Sequence, residues 1–134
     1  MKALDTNVLV RFLVNDDEVQ SKVVYQLFKQ AETEKKCFFV PLLVVLETIW
    51  VLDSVYEIQR REILDSINEI LLMPILKFED QPIIQRFIFL AHENKIDLSD
   101  VLIACAANLS GCEKILTFDK KASKFELFEL IESL

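Results

Sequence analysis

The sequence predicts an α/β fold: a single-domain, three-layer α/β/α sandwich around a mostly parallel central sheet. Three observations predict it. Short apolar runs alternate with longer stretches of helical spacing along the whole chain. A length of 134 residues suits one domain that buries its own core without staples. Hydrophobic residues make up 52% and Gly occurs once, a composition that excludes disordered, collagen-like and linker-rich chains. Parallel strands joined by helices imply right-handed crossovers, a sheet covered on both faces, and ligands bound outside the strands' carboxyl ends.

The elements follow in order. Residues 2–5 read as a strand, after which Val8, Leu9, Phe12 and Leu13 take up helical spacing. A polar helix over 18–35 turns Val23, Val24, Leu27 and Phe28 toward the core. Cys37 to Val40 is the second strand, closed by Pro41, which suits the first turn of a helix over 42–53. That helix is apolar nearly all round, and Glu47, a turn after Leu43 and a turn before Val51, is expected to point inward. Ile63, Ile67, Ile70 and Leu71 mark a helix over 59–72, and Pro74 to Lys77 a short third strand. A helix over 81–94 carries Ile84, Phe87, Ile88 and Ala91. The next helix starts after Asp97, read as its N-cap, and stops at Gly111. Lys114 to Phe118 is the fourth strand, and 125–131 is a strand or a helix.

Composition narrows the setting. Cys37, Cys105 and Cys112 form an odd set without metal-type pairing and lie in or beside apolar segments, as reduced core or near-core thiols do. Asp5 interrupts any secretion signal, and Glu47 breaks the longest apolar stretch short of a bilayer span. A cytoplasmic protein with no membrane association is expected. Fifteen basic against 22 acidic residues give a net charge of −7, which argues against a general nucleic-acid coating protein and leaves a nuclease open.

Four acids stand where core-building alone would not put them: Asp5 after a strand, Glu47 within Leu-Leu-Val-Val-Leu-Glu-Thr-Ile-Trp, Asp100 before Val-Leu-Ile-Ala, and Asp119 after Ile-Leu-Thr-Phe. A carboxylate among apolar neighbours is costly unless paired or coordinated. Singly, each has an ordinary reading: Asp5 a turn residue, Asp100 a favourable charge in a first helical turn, Asp119 a solvated turn. Jointly, the topology expected here carries Asp5, Asp100 and Asp119 to the carboxyl rim of the sheet. All-oxygen ligation selects Mg²⁺ or Mn²⁺ over zinc. His92 has no ligand-spaced partner and reads as structural or surface.

The segments Leu-Asp5-Thr6-Asn7-Val-Leu-Val, Pro-Leu-Leu-Val-Val-Leu-Glu47, Asp97-Leu-Ser-Asp100-Val-Leu-Ile-Ala and Leu-Thr117-Phe-Asp119-Lys-Lys-Ala together resemble the PIN domain family, most closely its VapC-type toxins. The resemblance covers almost the whole chain, and its specificity lies in the ordered set. It implies an α/β/α fold and a metal-dependent endoribonuclease, the toxin of a toxin–antitoxin pair. Asp5, Glu47, Asp100 and Asp119 match the acidic positions that hold Mg²⁺ or Mn²⁺. Thr6, Asn7 and Thr117 match polar positions beside them. Asp97 either caps its helix or approaches the metal, capping being the favoured reading. Such a site activates water for in-line attack on a phosphodiester without a side-chain nucleophile. The resembling toxins commonly form homodimers and bind a small antitoxin protein.

Basic residues supply the RNA side of the reading: Arg11 as a phosphate contact, and Lys120, Lys121 and Lys124 flanking the groove after Asp119. The ten phenylalanines mostly follow core spacing and are assigned to packing. Two rivals stay open. One is an inactive PIN-like module that binds RNA or protein; the other is a phosphotransferase or phosphatase with Asp5 as nucleophile, although Asn7 stands where such chemistry commonly has a second Asp.

Overall fold

The structure is a computed structural model that describes residues 1–132. The α/β class and parallel strands are those the sequence predicts. The chain divides into two compact units, Met1–Asp80 and Gln81–Leu134.

In the first unit, β1 (Lys2–Ala3), β2 (Phe38–Val40) and β3 (Leu76–Phe78) form a parallel sheet in the order β1-β2-β3. The intervening helices are α1 (Thr6–Leu13), α2 (Glu18–Glu34), α3 (Leu42–Ser54) and α4 (Arg60–Leu71). Parallel pairing requires these crossovers, since a tight turn cannot return a chain in the same direction. The first strand is shorter than expected because Asp5 leaves the ladder to cap α1, although Leu4 N–H still donates to Phe39 O at 2.9 Å. The third strand starts later than expected: Pro74 and Ile75 turn, and Leu76 N–H closes on Met73 O at 3.1 Å.

Two orientations differ from the sequence reading. The core stripe of α2 is Ser21, Val24, Phe28 and Ala31, which leaves Val23, at 59% exposure, and Leu27 on the outer flank. In α3 the buried residues are Val45, Thr48, Ile49 and Leu52, and Glu47 is exposed rather than inward-facing. At about 100° per residue, position 47 lies about 200° from both Val45 and Ile49, so the stripe that packs α3 directs Glu47 outward with Leu43 and Trp50.

In the second unit, α5 (Gln81–Ala91) packs on α6 (Leu98–Leu109), and β4 (Ile115–Thr117) pairs in parallel with β5 (Phe128–Leu130) across a 3₁₀ turn, Ala122–Lys124. The last segment is therefore a strand. Helix α5 ends earlier than expected, at Ala91, where Asn94 Nδ2 donates to Leu90 O at 2.8 Å and Asn94 Oδ1 accepts from Ile96 N–H at 3.0 Å. Gly111, with φ +97°, ends α6: its N–H donates to Asn108 O and Cys112 N–H to Ala107 O, both at 3.1 Å, the paired bonds of a Schellman motif.

The cysteines are all free, but only Cys105 is buried, whereas Cys37 and Cys112 are exposed. Burial pushes the Cys105 thiol up to about 11. Packing takes most phenylalanines, including the Phe12–Phe28 pair at 5.0 Å, yet Phe89 and Phe118 are 63% and 79% exposed. His92 is on the surface. No helix among the described residues is long and apolar enough to cross a membrane.

Candidate active site

The first unit places Asp5 and Glu47 on the lining of one depression of about 270 Å³, together with Thr6, Asn7, Arg11 and Tyr56. Asp5 follows β1 and takes the N-cap position of α1, where Oδ1 accepts from Thr6 N–H at 2.8 Å. One carboxylate oxygen is thus committed to the backbone, which orients the other. Thr6 is buried, and its hydroxyl has no hydrogen-bond partner. An unmade hydrogen bond in such a place is costly unless something else meets it. Asn7, one residue on, is exposed.

Arg11 is more engaged than a waiting phosphate contact. Its Nε donates to Gln20 Oε1 at 2.7 Å, and one terminal nitrogen donates to Tyr56 Oη at 3.3 Å and lies 3.4 Å from Asp16 Oδ1. Tyr56 in turn donates to Asp16 Oδ2 at 2.7 Å. The Tyr56 hydrogen bond, with Asp16 and Asp17 nearby, raises the Arg11 pKa further. Tyr56 and Asp16 line or brace this depression unnoticed in the sequence, because neither stands at a periodic or motif position.

The second unit gathers Asp97, Asp100 and Asp119 electrostatically. Asp100, in the first turn of α6 and part-buried, has its pKa raised by desolvation first and then by the like charges of Asp97 and Asp119. Asp97 occupies the N-cap position, and its backbone carbonyl accepts from Val101 N–H at 3.1 Å. Its carboxylate makes no capping hydrogen bond, which removes the favoured reading of that side chain and leaves its charge facing Asp100. Asp119 follows β4, as Asp5 follows β1. Its Oδ1 accepts from Lys121 N–H at 2.9 Å and Ala122 N–H at 3.3 Å, and its own N–H donates to Thr117 Oγ1 at 3.0 Å. Thr117 therefore fixes the turn that carries Asp119, and Lys120 and Lys121 project from that turn into solvent.

Asp5 and Asp119 share a design: each stands just past a strand, with Oδ1 held by the amides of the following turn. Among the described residues, no group of three or more His, Cys, Asp or Glu side chains is gathered closely enough to hold a metal ion. The donor chemistry nevertheless suits a hard divalent cation. Within each unit the donors are oxygen only: Asp5 and Glu47 line the first unit's depression beside the unpaired Thr6 hydroxyl, and in the second unit Asp100 sits in the repulsion of Asp97 and Asp119.

Comparison with known proteins gives the family. The PIN domain matches residues 2–126. A VapC ribonuclease of Aquifex aeolicus (strain VF5) is 27% identical over 124 residues, covering 92% of this chain and 91% of that protein. With the acids in order at the ends of its strands and in its helices, and with the match running nearly end to end, this chain belongs to the PIN domain family.

Proposed function

We propose that this protein is an Mg²⁺- or Mn²⁺-dependent endoribonuclease that hydrolyses RNA phosphodiester bonds as the toxin of a toxin–antitoxin pair. The observation that carries the reading is the presence of Asp5, Glu47, Asp100 and Asp119 in a chain that matches the PIN domain over residues 2–126. Its similarity to a VapC ribonuclease supports RNA as the substrate and a small antitoxin as partner. A cytoplasmic homodimer is the form we assign to it.

In this reading, Asp5, Glu47, Asp100 and Asp119, which match the acidic positions of the family, are the carboxylates assigned to the cation. A bound divalent cation supplies Lewis acidity toward the phosphodiester and lowers the pKa of water. The chain's own residues prepare that chemistry. The Thr6 amide orients Asp5, and the amides of Lys121 and Ala122 orient Asp119. Thr117 holds the Asp119 turn, and the Thr6 hydroxyl, buried and unpaired, is the group we assign to orienting a water beside Asp5. Asp97 adds negative charge beside Asp100, and Asn7 supplies a polar group at the rim. Arg11 braces Tyr56 at the Asp5–Glu47 depression, and the exposed Lys120 and Lys121 are the side chains we assign to the substrate strand.

Purified protein incubated with a cellular RNA pool in Mg²⁺, Mn²⁺ or EDTA tests this. Fragments that require the cation and vanish in folded Asp5→Asn and Asp100→Asn variants are expected. Intact RNA in every condition, or equal cutting by the variants, would overturn the reading; RNA binding without cutting would select the inactive module.

A further inference from the structure

The second unit contains a cavity of about 630 Å³ that none of the four candidate site acids lines, and Lys95, Lys121 and Lys124 all line it. We propose that this cavity is an RNA subsite that holds one nucleotide of the substrate strand, with the three lysines on its phosphates. The proposal rests on the ribonuclease reading and adds where the strand is anchored.

The unit's six basic residues are Arg86, Lys95, Lys114, Lys120, Lys121 and Lys124, so half of them border one cavity, although the chain as a whole carries −7. Lysines from two places in the chain meet there: Lys95 from the connection between α5 and α6, and Lys121 and Lys124 from the segment between β4 and β5. Like charges brought together at a cavity repel unless an anion joins them. The two carboxylates that also line it, Glu93 and Glu126, leave a net excess of one positive charge, so the cavity stays cationic in an acidic protein.

Its volume and walls fit a nucleotide better than a bare anion. Small-molecule sites typically span roughly 300–1,000 Å³, and a cavity of about 630 Å³ falls well inside that range. Leu90 and Phe125 give it an apolar wall for a base or ribose face, while the exposed lysines keep their charges in reach of phosphate. The cavity is also tied to the catalytic acids through the backbone. Lys121 N–H donates to Asp119 Oδ1 at 2.9 Å, so the residue that lines the cavity also orients the carboxylate. An RNA strand held on Lys121 and Lys124 is thereby held in register with the Asp119 turn.

Fluorescence anisotropy of a labelled single-stranded RNA, titrated with the full chain in EDTA across a salt series, tests the subsite. The probe's integrity is checked on a gel. Wild type is compared with a variant carrying Lys95→Gln, Lys121→Gln and Lys124→Gln. The control carries Lys22→Gln, Lys29→Gln and Lys77→Gln, which changes the net charge equally at exposed positions of the first unit. Each lysine–phosphate contact on a single strand contributes about 0.7 to the log–log salt slope. Loss of all three should therefore flatten the slope by about 2 and weaken binding at least about tenfold at low salt, with a much smaller change in the control. Lys95→Gln alone, whose side chain takes no part in the Asp119 turn, should flatten the slope by about 0.7 and covers the case in which the triple variant does not fold. Equal losses in cavity and control variants, or an unchanged slope in Lys95→Gln, would overturn the subsite. Hydrolysis of the same RNA by wild type in Mg²⁺ is read separately. Hydrolysis with no cavity effect refutes the subsite alone, whereas lysine-dependent binding without hydrolysis refutes the nuclease and retains the cavity as an RNA site.

Discussion

Asp119 does two jobs that substitution can separate. Its Oδ1 holds the amides of Lys121 and Ala122, at 2.9 and 3.3 Å, and its charge is the one assigned to the cation. Asp119→Asn keeps an acceptor of the same shape and removes the charge; Asp119→Ala removes both. A net hydrogen bond contributes about 0.5–1.5 kcal/mol. The bond at 3.3 Å is long and the site is exposed, so water recovers part of the loss. Together the two bonds are worth about 1 kcal/mol, in line with the roughly 0.5–2 kcal/mol typical of a capping Asp. For a chain of this size that corresponds to a fall of about 4 °C in Tm for Asp119→Ala. Asp119→Asn should show little change, and relief of the repulsion on Asp100 acts in its favour. Both variants should lose RNA hydrolysis by more than about 100-fold, beyond the 10–100-fold that outer partners of a metal usually carry. Thermal unfolding by circular dichroism and RNA cleavage on the same preparations read the two effects. An active Asp119→Asn, or a Tm loss as large in Asn as in Ala, would refute this division of roles.

Three other outcomes follow from the geometry. In EDTA, the folded protein holds the Asp100 proton more tightly than the unfolded chain does, because of desolvation and the charges of Asp97 and Asp119. Its contribution to stability is therefore greatest below the ordinary aspartate pKa and declines as pH rises through the raised one; denaturant titrations across acidic pH should show that decline in wild type and its loss in Asp100→Asn. Thr6→Val replaces a buried hydroxyl that has no partner, so stability should stay level or rise by up to about 1 kcal/mol, and a clear loss in chemical denaturation would show that the hydroxyl is bonded. A thiol reagent near neutral pH should modify Cys37 and Cys112 quickly and Cys105, buried with its thiol pushed up to about 11, only after unfolding; rapid modification of all three in the native protein contradicts the packing of α6.

Element order was legible because each helix and strand carries its own period. Ile63, Ile67 and Ile70 announce α4, and Gly111, the chain's single glycine, marks the end of α6 because a positive φ was needed there. Asp5 and Asp119 were legible as strand-end acids for the same reason. Orientation was harder where the apolar signal ran all the way round. In α3, Leu43, Val44, Leu46 and Trp50 give no clear stripe, so the outward direction of Glu47 appears only once Val45, Ile49 and Leu52 are seen in the core. The side chain of Asp97 also escaped the sequence, since a helix start signals a cap position without showing which hydrogen bond is made there. Arg11 was placed near phosphate by its distance from Asp5, whereas Gln20, Asp16 and Tyr56, which engage it, come from other segments and leave no local trace. Lys95 was missed as well, because only the folded second unit brings it to the cavity of Lys121 and Lys124.

Whether these carboxylates hold a divalent cation is open to direct measurement. Electron paramagnetic resonance of Mn²⁺, titrated with wild type and with Asp5→Asn, Glu47→Gln, Asp100→Asn and Asp119→Asn, measures that without reference to cleavage. Folded wild type should deplete the free Mn²⁺ signal, Mg²⁺ should restore it by competition, and each variant should bind at least about tenfold more weakly. Undiminished free Mn²⁺ in the presence of folded wild type, or variants that bind as well as wild type, would contradict the assignment of these carboxylates to the cation.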